Sequence, residues 1–357
     1  MVLILRVLYG SRKYIRISNH GIGVSIFAFQ ANDPGGRRTL PAPRADFLVP
    51  DNLDYHNVAT LGPSPRQVVD ATMKAVLELE SNPTNEYFGG NGVVEPATLR
   101  MEAVREKAAK ALGAFLNETL VMPSTTVSLN NVAEGLVSSG FVKRGDFVLT
   151  TDQEHAGGLR CWQHYTKVEP LLGGLDVVSI PVSPPPSSED DVLQLFREAL
   201  EKKQYRVVTV SHVTTTNGLR LPLRELADLV HQHGAVLVVD GAQAHGGIRV
   251  DVHELGVDVY TTSSHKWLCA PKGAGLLFIS QRVRDRITPT FLDGGSYPYT
   301  GSTGTRPQHT LAGLGAAIDY FESFGFEEVE AYNLRLRSVA YAGFSALAKE
   351  IPGGDWL

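Results

Sequence analysis

Cysteine is scarce in this chain: only Cys161 and Cys269 occur among 357 residues. Two thiols build neither a disulfide framework nor a Cys-based zinc knuckle, and such usage suits a reducing compartment. A cytoplasmic setting is therefore the expectation. Long apolar runs are missing as well. None reaches the roughly 18 residues that span a bilayer, so no membrane partner is expected. Nor is there a basic excess: 33 Lys and Arg stand against 38 Asp and Glu, a formal net charge of −5. That leaves no positive field for nucleic acid. What remains is an ordinary globular composition, 43% hydrophobic and 20% charged, and a length able to bury a large core. The expected partner is a small molecule.

The first 32 residues contain Arg6, Arg12, Lys13 and Arg16 but no acidic residue. Their apolar runs are short and broken, without a convincing small-residue cleavage site, so residues 1–45 read as a poorly ordered extension, with a targeting peptide as the alternative. Folded character begins around Phe47. Ser64 followed by Pro65 predicts a helix start, with Ser64 as its cap. From there helices alternate with short apolar strands, predicted at Leu120–Pro123, Phe147–Thr150, Asp176–Ile180, Arg206–Val210, Val236–Val239, Val257–Thr261 and Gly275–Ile279. Helical periodicity runs between them, as at Asp191 to Lys202 and at Leu223 to His233, where Gly234 is the stop. Strands separated by helices of this length imply right-handed crossovers. The fold class is thus α/β, a mostly parallel sheet with helices on both faces. Past Asp293 a long loop, Tyr297 to Arg306, leads into two helical stretches, about Leu311–Phe324 and Glu327–Lys349.

Open α/β sheets deliver functional residues at the carboxyl ends of their strands. Leu237-Val-Val-Asp240 ends an apolar strand on a carboxylate, which by itself reads as a turn cap. The next strand leads into Thr262-Ser-Ser-His-Lys266-Trp267, a lysine wedged between a strand end and an apolar segment. A lysine whose surroundings favour the neutral amine is an imine-forming nucleophile. Pyridoxal 5'-phosphate needs such a lysine, together with an acid that keeps its pyridine nitrogen protonated. Asp240 and Lys266 supply both. His231, His233, His245 and His253 lie close in sequence. However, His231 and His233 sit two apart on one helix and point away from each other, so no metal site is expected. Cys269, in an apolar run, reads as a small buried hydrophobe rather than a nucleophile.

Over roughly Asp51 to Phe324 the sequence resembles the class V aminotransferase-like group of fold-type I pyridoxal-phosphate enzymes. The match is most specific in Asp240-Gly-Ala-Gln243 and Ser263-Ser-His265-Lys266, with Lys266 placed 26 residues after Asp240. Within that group, His265-Lys-Trp-Leu-Cys-Ala-Pro-Lys-Gly-Ala-Gly275 is most similar to the isopenicillin-N epimerase-like branch. The resemblance implies that Lys266 carries the cofactor as a Schiff base, that Asp240 pairs with the ring nitrogen and that His155 stacks on the ring. Thr125 and Thr126, at a helix N-terminus, hold the phosphate, and Ser263 and His265 reach it too. Gln243 and Thr215 approach the ring hydroxyl. Thr305, in Gly304-Thr305-Arg306, serves the phosphate of a neighbouring subunit, which implies a homodimer with shared sites. The segment from Tyr55 to Pro63 lines the substrate side. Residues 46–300 then form the large cofactor-binding domain, and 301–357 begin a smaller C-terminal one that looks incomplete beside the family. The arginine that relatives use for the substrate carboxylate has no counterpart here.

The expected chemistry starts with an amino acid displacing Lys266, whose freed amine removes the α-proton. Proton return gives epimerisation, protonation on the cofactor gives transamination, and loss of a β-substituent gives a lyase. The resemblance ranks epimerase-like or aminotransferase-like activity first and a carbon–sulfur lyase second. Cysteine desulfurases use a mobile cysteine far downstream of the lysine, and no cysteine follows Cys269. A non-catalytic protein that keeps the scaffold, acting as a binding or regulatory module, is the reading from another class.

Overall fold

Five-residue runs rich in Val, Leu and Ile recur along the chain and become strands; the stretches between them carry the 3.6-residue period and become helices. The computed structural model describes residues 38–88, 97–167, 174–182, 186–290 and 305–350, with two short strands at 4–6 and 14–16. In chain order the elements are β1 (Ile4–Arg6), β2 (Tyr14–Arg16), α1 (Arg66–Ser81), α2 (Pro83–Phe88), α3 (Ala97–Ala111), β3 (Thr119–Met122), α4 (Thr125–Ser138), β4 (Phe147–Thr151), α5 (Ala156–Lys167), β5 (Asp176–Ile180), α6 (Glu189–Lys202), β6 (Val207–Ser211), α7 (Leu223–Gln232), β7 (Val236–Asp240), α8 (Val252–Leu255), β8 (Val259–Ser263), β9 (Gly275–Ile279), α9 (Gln308–Glu322) and α10 (Phe326–Glu350). The strands from β3 to β9 form one sheet of order β3-β9-β8-β7-β6-β4-β5. Only β9 runs antiparallel to its neighbours. The α/β class read from the sequence is the observed one.

Strands β6, β7, β8 and β9 are buried at every position, as a sheet covered on both faces requires. Phe196 of α6 and Leu226 of α7 pack on one face with Leu237 and Val239. Leu129 of α4 and Trp162 of α5 pack on the other with Val236 and Val238. Successive residues of β7 thus feed opposite layers, the period of two that a strand imposes. From β4 the chain steps to β5 on one side, then returns past β4 to β6 and continues to β7 and β8 on the other. The strand order reverses between β4 and β6, where open α/β sheets form their ligand crevice.

One expectation changes, and packing crosses two expected boundaries. Pro65, not Ser64, precedes α1 as its cap and gives no side-chain hydrogen bond; Ser64 turns instead toward the carbonyl of Ala270. Packing reaches upstream of Phe47 into the segment read as an extension. The amide of Arg38 donates to Ser323 (3.0 Å), and its guanidinium lies 4.9 Å from the centre of the Tyr320 ring. Leu314, Ala317 and Ile318 of α9, which follows the boundary expected at 301, belong to the main core. Of the Tyr297–Arg306 loop, residues up to 304 lie outside the described ones.

Candidate active site

The carboxyl end of the sheet gathers polar groups that its strands present together. Asp240 closes β7, and its Cα partner on β6 is Ser211. Partners in register point to the same face, so both side chains turn toward the layer of α4 and α5. Asp240 Oδ1 accepts from the Ala242 amide at 2.9 Å. Gly158, in the first turn of α5, lies against the other oxygen: a Cβ there would stand 3.0 Å from Oδ2. Burial pushes the Asp240 carboxyl upward, against the Ala242 hydrogen bond and the charges of Lys266 and His155. A buried acid influenced by two basic side chains, Lys266 and His155, is the result.

Lys266 stands in the turn after β8. That turn is closed by the Cys269 amide on the Lys266 carbonyl (3.1 Å) and by the Ala270 amide on Ser264 (3.0 Å). Cys269 takes a left-handed φ of 55°, a conformation that a non-glycine residue adopts at a cost of about 1 kcal/mol or more. Lys266 is half-buried. Burial lowers its amine from the usual lysine range and Asp240 opposes the shift, so amine and carboxylate share one electrostatic environment. The 55–63 segment fastens this turn from outside. The Gly62 amide donates to His265 (2.8 Å), and Lys272 Nζ donates to the Gly62 carbonyl (2.7 Å).

The N-terminus of α4 faces the same turn. Pro123 ends the strand region and Ser124 caps the helix, accepting from the Val127 amide at 3.3 Å. Thr125, first in the helix and buried, meets Ser263: the serine hydroxyl donates to Thr125 Oγ1 (3.0 Å) and accepts from the Thr125 amide (3.3 Å). Thr126 is exposed beside the start of α5, where a Cβ on Gly157 would fall 2.8 Å from Thr126 Oγ1 and 3.0 Å from His155 Nδ1. His155 itself precedes α5 and its Nδ1 accepts from the Gly157 amide at 3.1 Å, which leaves the proton of the neutral ring on Nε2. A cavity of about 570 Å³ continues outward between α4 and α5 past Thr126, Gly157 and Arg160.

The residues singled out from the sequence therefore fall into two groups. Asp240, Lys266, His155, Thr125, Thr126, Ser263 and His265 converge on the crevice. Gln243 lies nearby with its amide spoken for: Nε2 donates to the Ala59 carbonyl (3.0 Å) and Oε1 accepts from Trp267 Nε1 (2.7 Å). Thr215 and Thr305 are exposed, and no hydrogen bond among the described residues engages their side chains. Both cysteines are buried, and burial drives each thiol up to about 12. Sequence reasoning passed over Glu154. Its carboxylate is hydrogen-bonded to Thr151 and Ser211, and burial above all raises it to about 7.

The arrangement fits pyridoxal 5'-phosphate. A helix N-terminus with two hydroxyls suits a phosphate. His265 Nδ1 is buried beside it without a hydrogen-bond partner among the described residues. A buried acid and an amine of lowered basicity lie across the crevice, and Gly157 and Gly158 leave room that any Cβ would fill.

Comparison with known proteins agrees. The chain is 31% identical over 343 residues to a cysteine desulfurase of Haloferax volcanii, covering 89% of this chain and 76% of that protein. A cysteine desulfurase of Escherichia coli is 30% identical over 327 residues, covering 85% and 77%. The apo structure of a cysteine desulfurase from Thermococcus onnurineus superposes with a TM-score of 0.74 at 28% identity, over 87% of this chain and 76% of that one. Residues 55–351 match the family of class-V aminotransferases, so the chain belongs to that family and its cofactor is pyridoxal 5'-phosphate.

Proposed function

We propose that the chain is a pyridoxal-phosphate lyase that breaks a carbon–sulfur bond in a small sulfur-bearing amino acid. The observation that carries the reading is the convergence of Lys266 and His155 on buried Asp240, in a chain about 30% identical to cysteine desulfurases. Those relatives favour the second of the sequence-based readings over the epimerase-like or aminotransferase-like one.

When bound, the cofactor supplies an electron sink for charge that develops at the substrate α-carbon. Lys266 would hold it through Nζ and, with its basicity lowered by burial, could take and return a proton at the substrate α-carbon. Asp240 would hold the proton of the ring nitrogen, and His155 would lie against the ring. Thr125, Thr126, Ser263 and His265 hold the phosphate, with the positive end of the α4 dipole behind them. Gln243, fixed by Trp267 and Ala59, and Thr215 serve the ring hydroxyl. Breaking the Cβ–S bond sends the bonding pair with the sulfur. Neither Cys161 nor Cys269 can accept that sulfur, since both thiols are buried and protonated at neutral pH. Two copies pair so that Thr305 of each reaches the other's phosphate, and residues 46–300 form the cofactor-binding part.

The test is a substrate panel. The cofactor-loaded protein is incubated with cysteine, cystine and an S-alkyl cysteine sulfoxide, and sulfur release, pyruvate and ammonia are measured beside racemisation and keto-acid formation. Sulfur release that Lys266→Ala abolishes is the expected result. Racemisation or keto acid without sulfur release returns the epimerase-like or aminotransferase-like reading. No α-proton exchange with any substrate returns the non-catalytic scaffold.

A further inference from the structure

Glu154 is a half-buried acid of the crevice to which no role has yet been given. It sits between β4 and α5, in the turn that also carries His155. Thr151 Oγ1, at the end of β4, donates to its Oε1 at 2.6 Å, and Ser211 Oγ, at the end of β6, donates to its Oε2 at 2.7 Å. One carboxyl thus spans the two strands between which the strand order reverses. The Ser211 it holds is the register partner of Asp240. The Asp152 amide on Ile180 (3.0 Å) and the Gln153 amide on Thr151 Oγ1 (3.2 Å) complete the turn.

We infer that Glu154 is a positioning residue: it ties the His155 turn to the strand end opposite Asp240, and its charge sets how strongly Asp240 and the group it faces hold a proton. The inference rests on the cofactor reading above. Two buried carboxyls that feel each other do not both ionise freely, and one keeps a proton. Asp240 has the basic side chains of Lys266 and His155 beside it; Glu154 has the hydroxyls of Thr151 and Ser211. Burial raises both carboxyls, that of Glu154 to about 7, and the charge of Asp240 adds to the rise at Glu154. The other titratable groups coupled to Asp240 are Cys161 from α5 and Tyr260 from β8, both held neutral by burial. Among the described residues, the basic side chains acting on Asp240 are Lys266 and His155. Above neutrality Glu154 adds a negative charge near Asp240, and this raises the proton affinity of the site.

The experiment compares the full chain with Glu154→Gln and Glu154→Ala after loading with pyridoxal 5'-phosphate. The visible absorbance of the bound cofactor is titrated between pH 5.5 and 9, and the dissociation constant is measured by fluorescence at pH 6 and pH 8. Gln keeps both hydroxyl contacts and cannot ionise. We expect E154Q to load the cofactor and to lower the absorbance midpoint by about one pH unit, a tenfold change in proton affinity. E154A should in addition weaken cofactor binding, on the order of tenfold, by freeing the His155 turn. Two variants of unchanged midpoint and affinity would overturn the inference while leaving the cofactor reading intact. A wild-type protein that takes up no cofactor, or does so unaltered by Lys266→Ala, overturns the reading itself.

Discussion

Gly62→Ala tests the closest approach in the candidate site. A Cβ at position 62 would stand 2.0 Å from the Lys266 carbonyl oxygen and 2.9 Å from Cys269 Sγ. Real Cβ contacts require at least about 3 Å, so the 62 segment and the Lys266 turn must separate by about 1 Å. The Gly62 amide donates to His265 at 2.8 Å on the same strip, and separation stretches that bond. Overpacking costs about 1–3 kcal/mol and the lost hydrogen bond about 0.5–1.5, together about 2–4 kcal/mol. With an unfolding entropy of roughly 2.1 cal/mol/K per residue, a chain of this size should lose about 3–5 °C in Tm. The functional effect is larger. Moving the Lys266 turn by about 1 Å should lower turnover on the order of 100-fold. The assay is thermal unfolding of the cofactor-free protein beside visible absorbance of the loaded one. Gly343→Ala is the control, since a Cβ there meets nothing within 4 Å on α10. If G62A melts within about 1 °C of wild type and turns over normally, the packing of the 62 segment on Lys266 is wrong.

Asp240→Asn keeps an acceptor for the Ala242 amide but removes the charge, so it should still bind cofactor while turnover falls on the order of 100-fold or more; wild-type rates in this variant would sink the role of Asp240. Borohydride reduction should fix cofactor to the wild type and not to Lys266→Ala, which mass spectrometry reads directly. Burial lowers His245 to about 4, so this ring stays neutral in the fold, while the unfolded chain takes up a proton below about 6.5. The unfolded state then binds more protons, and stability falls as pH drops from about 6.5 toward 4. Between pH 7.5 and pH 5 the wild type should lose about 2 kcal/mol more than His245→Asn in urea titrations; equal losses would show that His245 is not buried neutral. Both thiols should resist alkylation for hours in the native protein and react at once in denaturant, and a fast-labelling native thiol would contradict their burial.

Most of the fold was legible from the chain because it depends on near neighbours. Val and Leu runs closed by Pro or Gly placed the strands within two residues, and Gly234, with φ 72°, stops α7 where the pattern ended. Asp240 and Lys266 were legible too, since each closes or follows an apolar strand. Glu154 was not. Beside His155 it reads as a surface acid, and nothing local marks it as buried. Its role arises from Ser211, 57 residues away, which only the pairing of β4 with β6 brings within hydrogen-bond reach. The tie of Gln243 to Ala59 and Trp267, and the entry of α9 into the main core, are likewise set by pieces distant in sequence. Composition and periodicity thus determined which elements form and which strand ends carry reactive groups. Burial and register, which follow from long-range packing and have no local signature, decided which of those groups share one charge environment.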